Sequence, residues 1–434
     1  MPPANALLNT AEGTIDRFQR SAFHYFEHQS HPVTGLVSDS SSTGCDASIA
    51  GSGMALACYP IAAARGYLTR GEAARRAELA LRFYSAADQG ASSSDSGNNG
   101  LFYHFLKSAT GRRAGRSEIS TIDSAILFAG ALAAAEYFDR DSDVERSIRG
   151  MGTDLYLAAD WHWASPRPPV ISHGWTPERG FLRYDWRGYN EALLLYILAL
   201  GSPTYPVKAS AYDGWLSAYK WKSIYGHQLV YGGPLFVHQV AHSWIDFRGI
   251  RDSYMRGRGI DYFENSRRAT YVQREYAVRN PRRFVGYGEN CWGVSASTGP
   301  GPGAGKFHGY RARGVPFGPD DGTIAPWATA ASLPFAPEIV LPALDYMERS
   351  FPLSGGQGTS TCFNETYSTG AGTGWTDAHS YAIDQGPVVL MIENYRSGLI
   401  WSLLRRSPYI RRGLERAGFT GGWLEQQECL RCGP

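Results

Sequence analysis

Acids set against apolar surface are the residues whose chemistry this sequence advertises first. Glu191, in YNEALLLYILALGSP, stands directly before nine consecutive apolar residues, Ala192 to Leu200. If that run is a buried helix, Glu191 lies in its first turn. There the helix dipole favours the carboxylate and desolvation favours the neutral acid. An acid that protonates a leaving oxygen near neutral pH needs desolvation to win, as in paired-carboxylate sugar-cleaving sites. The alternative is a residue that merely suits a helix N-terminus, with Asn190 as its cap.

Other carboxylates compete for a role. Asp123 in STIDSAIL lies three residues after Ser120, the spacing of a capping box, and capping and chemistry can coexist there. Glu118 reads as a solvated loop residue. In PDDGTIAPWA, turn and capping chemistry accounts for one of Asp320 and Asp321. Asp377 lies in GWTDAHSYAIDQGP among Trp375, His379 and Tyr381, as a loop aspartate able to satisfy its own turn. Asp384 precedes Gly386-Pro387, read as a helix start with proline in the first turn. No G-x-S-x-G elbow, HExxH helix or P-loop occurs, and His238 and His242 in HQVAH lack the glutamate of a metalloprotease helix. No metal site is expected.

These groups need elements to hold them, and helical periodicity dominates the chain. TIDRFQRSAFHYFEHQ, SIAGSGMALACYPIAAARGYL, EAARRAELALRFYSAAD and TIDSAILFAGALAAAEYF repeat apolar residues at spacings of three and four. Thr69 with Glu72 adds a capping-box start. Between Ala211 and Arg248 the helical signal is short and broken, and it returns afterwards to give about ten to twelve helices in all. Some are amphipathic and others apolar nearly all round, which fits two concentric rings with the inner helices covered on every side. The expected architecture is an all-α toroid forming one domain over residues 1–434, with long glycine- and aromatic-rich loops making a cleft at one end. Candidate substrate contacts in and beside those loops are Tyr189, Trp186, Trp292, Glu289, Asp321, Trp327, Trp375 and His379.

Composition narrows the partners. The 434 residues include 26 Tyr, 12 Trp and 19 Phe, many beside Gly, Asn, Asp or His, and flat apolar faces next to polar groups suit sugar rings. A net charge of +2 with 19% charged residues advertises no polyanion-binding face, so nucleic acid is not an expected partner. The longest apolar runs are about nine residues, short of the roughly 18 that span a bilayer. Six cysteines are too scattered for a disulfide scaffold, and the terminal CLRC is read as a disulfide or free thiols rather than a zinc site. The expected location is periplasmic or secreted, with the cytoplasm as the alternative, although the chain as given opens without a secretion signal.

The stretches TIDSAILFAGAL, YNEALLLYILALGSPTYP, HSWIDFRGIRDSYMRGRGIDYFENSRRATYVQREYAVRNP, NCWGVSAS, DDGTIAPWATAASLPFAPE and IDQGPVVLMIENYRSGLIW follow one another over nearly the whole chain. Together they resemble the glycoamylase-like family of bacterial carbohydrate enzymes, which includes the endo-β-1,2-glucanases of glycoside hydrolase family 144 and a domain of cyclic β-1,2-glucan synthases. The resemblance implies an (α/α)6 toroid that cleaves β-1,2-glucan by general acid/base catalysis without metal or other cofactor. It implies Glu191 as the general acid, an acidic site position at Asp123, and a late aspartate among Asp377 and Asp384 as the base, with Asp384 preferred. Ser120 departs from relatives that carry an aspartate there. An exo-acting sophorose-releasing enzyme and a transglycosylase stand beside the endo reading. In other classes stand a catalytically silent glucan-binding protein and a polysaccharide lyase built on Tyr103, His104 and Arg113.

Overall fold

In a computed structural model the described residues are 4–301, 307–351, 362–369 and 372–426. The terminal CLRC, the centre of the glycine-rich loop at 302–306 and positions 370–371 lie outside them. Among the described residues Cys45, Cys58, Cys291 and Cys362 form no disulfide.

The chain folds as an (α/α)6 toroid, alternating helices of an outer ring with buried elements of an inner one. The outer ring contains α1 (Ala4–Gln29), α3 (Arg70–Ala86), α5 (Asp143–Leu157), the short α7 (Ser210–Leu216) and α8 (Ser253–Arg258), α9 (Tyr262–Arg279) and α11 (Pro337–Ser350). The inner ring contains α2 (Ile49–Arg65), α4 (Thr121–Tyr137), α6 (Leu193–Gly201), α10 (Pro326–Ala331) and α12 (Ala382–Arg396). Its fourth position, between α6 and α10, is filled by two 3-10 turns, Leu235–His238 and Ala241–Ser243, in the segment whose helical signal is broken. Helices α13 (Leu399–Arg406) and α14 (Pro408–Arg416) close the chain's path against α4 and α6.

Local chemistry explains the division. Every residue of α6 is buried, whereas α3 buries little beyond a stripe of Ala73, Ala74, Ala77, Ala80, Leu81 and Tyr84. The Thr69–Glu72 capping box starts α3, and Ser48 and Ser120 cap α2 and α4 by accepting from the amides of Gly51 and Asp123. Helices α2 and α4 meet backbone to backbone at glycines. A Cβ on Gly130 would lie 1.9 Å from the Gly53 carbonyl oxygen, so no side chain fits between them.

The inner elements present their N-terminal turns to one end of the toroid. Small antiparallel sheets brace the loops there, including Ala47–Ser48 with Phe105–Leu106, Ala296–Ser297 with Arg311–Ala312, and the hairpin of Phe363–Thr369 with Gly372–Thr376.

Candidate active site

The N-terminal ends of the inner ring surround a cavity of about 500 Å³. Ser48 and Ala50 come from the start of α2, Ile122 and Asp123 from α4, Glu191 from just before α6, Phe236 and Val240 from the 3-10 segment, Trp327 from α10, and Tyr381, Ile383 and Asp384 from α12. Loops add Asp39, His104, Phe105 and Tyr310. Four carboxyls and a histidine therefore share a wall otherwise made largely of aliphatic and aromatic surface.

Glu191 lies two residues before α6 begins, not in its first turn, and Asn190 Oδ1 accepts from the Ala192 amide at 3.1 Å while also receiving Trp215 Nε1 at 3.2 Å. Cap-type chemistry is thus done by Asn190, and Glu191 is left facing the cavity. Burial, followed by the charge of Asp123, raises its pKa to about 7, although a hydrogen bond from its own amide works in the opposite direction. Desolvation therefore outweighs the pull of that amide, and a large share of the Glu191 carboxyls carries a proton near neutrality.

Asp123 is gripped from two sides. Ser120 Oγ donates to Asp123 Oδ2 and His104 Nε2 lies 3.5 Å from the same oxygen. His104 Nδ1 pairs with Glu118 Oε1 at 3.0 Å, and the imidazole stacks on Phe105 with ring centroids 4.0 Å apart. Burial disfavours charge on His104, but Asp123, Glu118 and Asp39 outweigh it and lift its pKa to about 9. Glu118, read from the sequence as solvated, is held by that imidazolium, and its pKa falls below the ordinary carboxylate value in spite of burial.

The two late aspartates part company. Asp384 is the third residue of α12, which begins at Ala382, so Pro387 sits inside the helix and not in its first turn. Its carboxyl reaches the cavity wall, where burial first, then Asp39 and Asp377, push its pKa well above the ordinary value. Asp377 is outside the wall: it accepts from the His379 amide at 3.0 Å, and Cys362 Sγ approaches its other oxygen at 3.7 Å. It satisfies its own turn.

Several expected substrate contacts are placed elsewhere by packing. Asp321 is engaged by Arg313 through two 2.8 Å bonds and by Thr323 Oγ1 at 2.7 Å, in an ion pair whose side chains are 0% and 1% exposed. Its neighbour Asp320 accepts from Tyr276 and Tyr287 hydroxyls, so turn and packing chemistry absorbs both acids. Trp186 stacks on His173 and donates to Thr121 Oγ1 at 3.0 Å, and Trp292 is fully buried in the core. Tyr189 belongs to an aromatic cluster with Tyr219, His238 and Tyr262. Glu289 pairs with Arg274 on the surface, and Trp375 and His379 stand off the cavity on the hairpin and the turn after it. Of the four tryptophans only Trp327 lines the wall, with its Nε1–H lacking a partner among the described residues.

The lyase constellation is not assembled. Arg113 spreads its fork on Glu178 at 2.6 and 3.1 Å, its guanidinium lies 4.8 Å from the buried Tyr103 ring, and of the three residues only His104 faces the cavity. His238 and His242 are buried beside Gly232 and Ser266, both with pKa lowered by burial, and no cluster of three metal-ligating side chains occurs among the described residues.

Sequence reasoning overlooked Asp39 and the wall aromatics Phe105, Phe236 and Tyr310. Asp39 occupies a serine-rich loop with no local signal, and the contacts that bring it to the cavity are made with residues 380–382.

A family model named Glycoamylase and described as "Putative glucoamylase" matches residues 183–408. A crystal structure from Bacteroides uniformis, also described as a "putative glucoamylase", is 34% identical, with 96% of this chain and 99% of that one covered and a TM-score of 0.86. An endo-β-1,2-glucanase from Chitinophaga pinensis, solved with sophorotriose and glucose, is 28% identical over 95% of this chain and 99% of its own, with a TM-score of 0.84. An exo β-1,2-glucooligosaccharide sophorohydrolase of Parabacteroides distasonis is 27% identical over 94% of this chain, which spans 58% of that relative's length. With the family model covering more than half of its length and the Bacteroides structure matching it end to end, the chain belongs to the glycoamylase family.

Proposed function

We propose that this protein is a glycoside hydrolase that cleaves β-1,2-glucan, with the whole chain serving as one catalytic toroid. The observation that carries the reading is the placement of Glu191, with a pKa near 7, in the wall of one cavity with the carboxyls at the start of α12 and α4. In this reading Glu191 protonates the glycosidic oxygen as the C–O bond breaks. Asp384 takes the proton of the attacking water, directly or through a substrate hydroxyl, and Asp123, positioned by Ser120 and His104, accepts from a sugar hydroxyl. Trp327 and Tyr310, which line the cavity, offer ring faces for glucose.

Two relatives of similar identity are named for endo cleavage and for sophorose release from the non-reducing end, so exo action is the second reading. Incubation with linear β-1,2-, β-1,3- and β-1,4-glucans, followed by chromatography, tests both. A ladder of β-1,2-linked oligomers supports endo cleavage, sophorose alone supports the exo reading, and an intact β-1,2-glucan contradicts the proposal. The location we infer for an enzyme acting on a polymeric substrate is periplasmic or extracellular, which fractionation of the source cells tests. No helix among the described residues is long and apolar enough to cross a membrane.

A further inference from the structure

The inference rests on the hydrolase reading and extends its machinery to a residue outside the Glu191, Asp123 and Asp384 set. Asp39 lies in the segment after α1, and that segment is fastened to the start of α12. The Ala382 amide donates to the Asp39 carbonyl at 2.9 Å, the Ser41 amide donates to the Ser380 carbonyl at 2.9 Å, and the Ser380 amide donates to Ser41 Oγ at 3.0 Å. On the other side the Asp39 amide donates to the Asp46 carbonyl at 2.9 Å, and Tyr25 of α1 donates to the Ser38 carbonyl at 2.7 Å. The Asp39 backbone is therefore fixed at both ends, and its carboxyl joins that of Asp384 in the cavity wall.

The surroundings of the two carboxyls are short of positive charge. Asp39 faces His104 and Asp123, with the Tyr25 and Tyr310 phenols nearby. Asp384 faces Asp39 and Asp377, with the Tyr381 phenol and Cys362 thiol nearby. Among these groups His104 is the one cation, and it is already matched to Glu118 and Asp123. Two carboxyls in one desolvated wall without a cation of their own do not both ionise readily, and they titrate as a unit. Burial lifts Asp39 to about 6, and the charge of Asp39 is the first cause after burial of the rise at Asp384.

We propose that Asp39 is a catalytic carboxyl of this site and acts with Asp384 as one basic unit. At neutral pH the unit carries one proton and one negative charge. As water attacks the anomeric carbon, a C–O bond forms to the water oxygen, the glycosidic C–O bond breaks, and Glu191 gives its proton to the departing oxygen. The proton lost by water passes to Asp384 in the arrangement in which Asp39 holds the unit's proton; the unit is then neutral, and exchange with solvent returns it to the starting state and reprotonates Glu191.

The test uses the full chain as wild type, Asp39→Asn, Asp384→Asn and the double variant, with Asp39→Ser in reserve should the amide not fold. Two readouts are taken: kcat/KM for β-1,2-gluco-oligosaccharides against pH, and melting temperature against pH without substrate. Both groups have raised folded-state values, so the stability they contribute is present below the unfolded carboxyl value and is lost as pH rises through the folded ones. Each single variant is accordingly expected to melt higher than wild type at pH 8 but not at pH 4, with the double variant gaining less than the sum of the two singles. Asp39→Asn is expected to lower kcat by about tenfold or more and to move the acid limb of kcat/KM to higher pH, since the first proton must then leave Asp384, whose value burial alone keeps raised. A wild-type rate and pH profile in Asp39→Asn, an unshifted limb beside a lowered melting temperature, or additive gains at pH 8 would each overturn the pairing. If wild type leaves every β-1,2-linked substrate intact, the hydrolase reading fails, and the melting curves still decide whether the two carboxyls are coupled.

Discussion

Helix α12 carries two buried acids with opposite electrostatics. Asp384, in its first turn, faces the cavity with other carboxyls for neighbours, and its pKa is driven up by burial. Glu393, near the other end, is equally shielded from water, yet Arg65 grips it through bonds of 2.7 and 2.8 Å while Gln19 and Ser397 donate to it. Burial acts in the same direction on both, but at Glu393 the arginine fork outweighs it and the pKa falls. Asp321 with Arg313, and Asp246 with Arg248 and Arg405, repeat the paired pattern away from the cavity. Burial alone therefore does not separate a functional acid from a structural one in this fold. Partner and position together make the difference: acids held by an arginine fork fasten helices and loops, whereas Asp384 faces the cavity and is left able to exchange protons with a ligand.

The contrast is broken most severely by swapping charge for amide at the cavity end. Asp384→Asn is expected to lower turnover of β-1,2-glucan by about 100-fold to 10,000-fold, with a melting temperature at pH 8 at or above that of wild type. Asp377→Asn, whose parent side chain caps its own turn, is expected to stay within about tenfold of wild type. Steady-state kinetics with thermal melts measures both, and an inactive, stable Asp377 variant beside an active Asp384 variant would reverse the assignment.

At the paired end the response moves from rate to stability. Arg65→Ala strands Glu393 without its cation and is expected to cost about 3–5 kcal/mol in denaturant unfolding, leaving the activity per folded molecule unchanged. A stable variant with lowered kcat would show that Glu393 is not merely structural.

His104 sharpens the comparison because it is the cation nearest the unpaired acids. Its raised value means that its contribution to stability is complete below about pH 6.5, the unfolded value, and is lost as pH rises through about 9. His104→Gln is expected to abolish that part of the melting profile and to lower kcat by about tenfold through a less firmly held Asp123. An unchanged melting profile between pH 6.5 and 9 would contradict the charge assigned to the imidazole. The smallest expected effect is at Trp327, where phenylalanine keeps a ring but offers a smaller face to the cavity. KM is expected to rise by about 2-fold to 10-fold with kcat little altered, the scale of a weakened aromatic contact. No change in KM would mean that the larger ring face is not used by substrate.

The readability of the fold follows the reach of each signal along the chain. Helices with full periods and caps, such as Thr121–Tyr137 behind Ser120, are legible because three or four residues decide them. Glu191 is legible for a related reason: the contrast between an acid and the apolar run after it is entirely local. Boundaries are less so, since Asn190 stops the amide pattern one step outside α6 and α12 begins two residues before Asp384. Composition cannot tell which loop aromatics turn inward, and so Trp327 reaches the cavity while Trp186 and Trp292 complete the packing around it. Asp39 is the least legible residue of all, because only the union of the 38–41 segment with the start of α12 gives it a place in the site.

The central claim is that Glu191 delivers a proton to the leaving oxygen, and changing the leaving group tests it most directly. Glu191→Gln is assayed on β-1,2-glucan and on a sophoro-oligosaccharide whose reducing end carries dinitrophenol, a group that departs without protonation. The account predicts a loss of about 100-fold or more on the glucan, a loss of less than about tenfold on the dinitrophenyl glycoside, and no fall in melting temperature at neutral pH. Equal losses on both substrates, or an undiminished rate on the glucan, would contradict it.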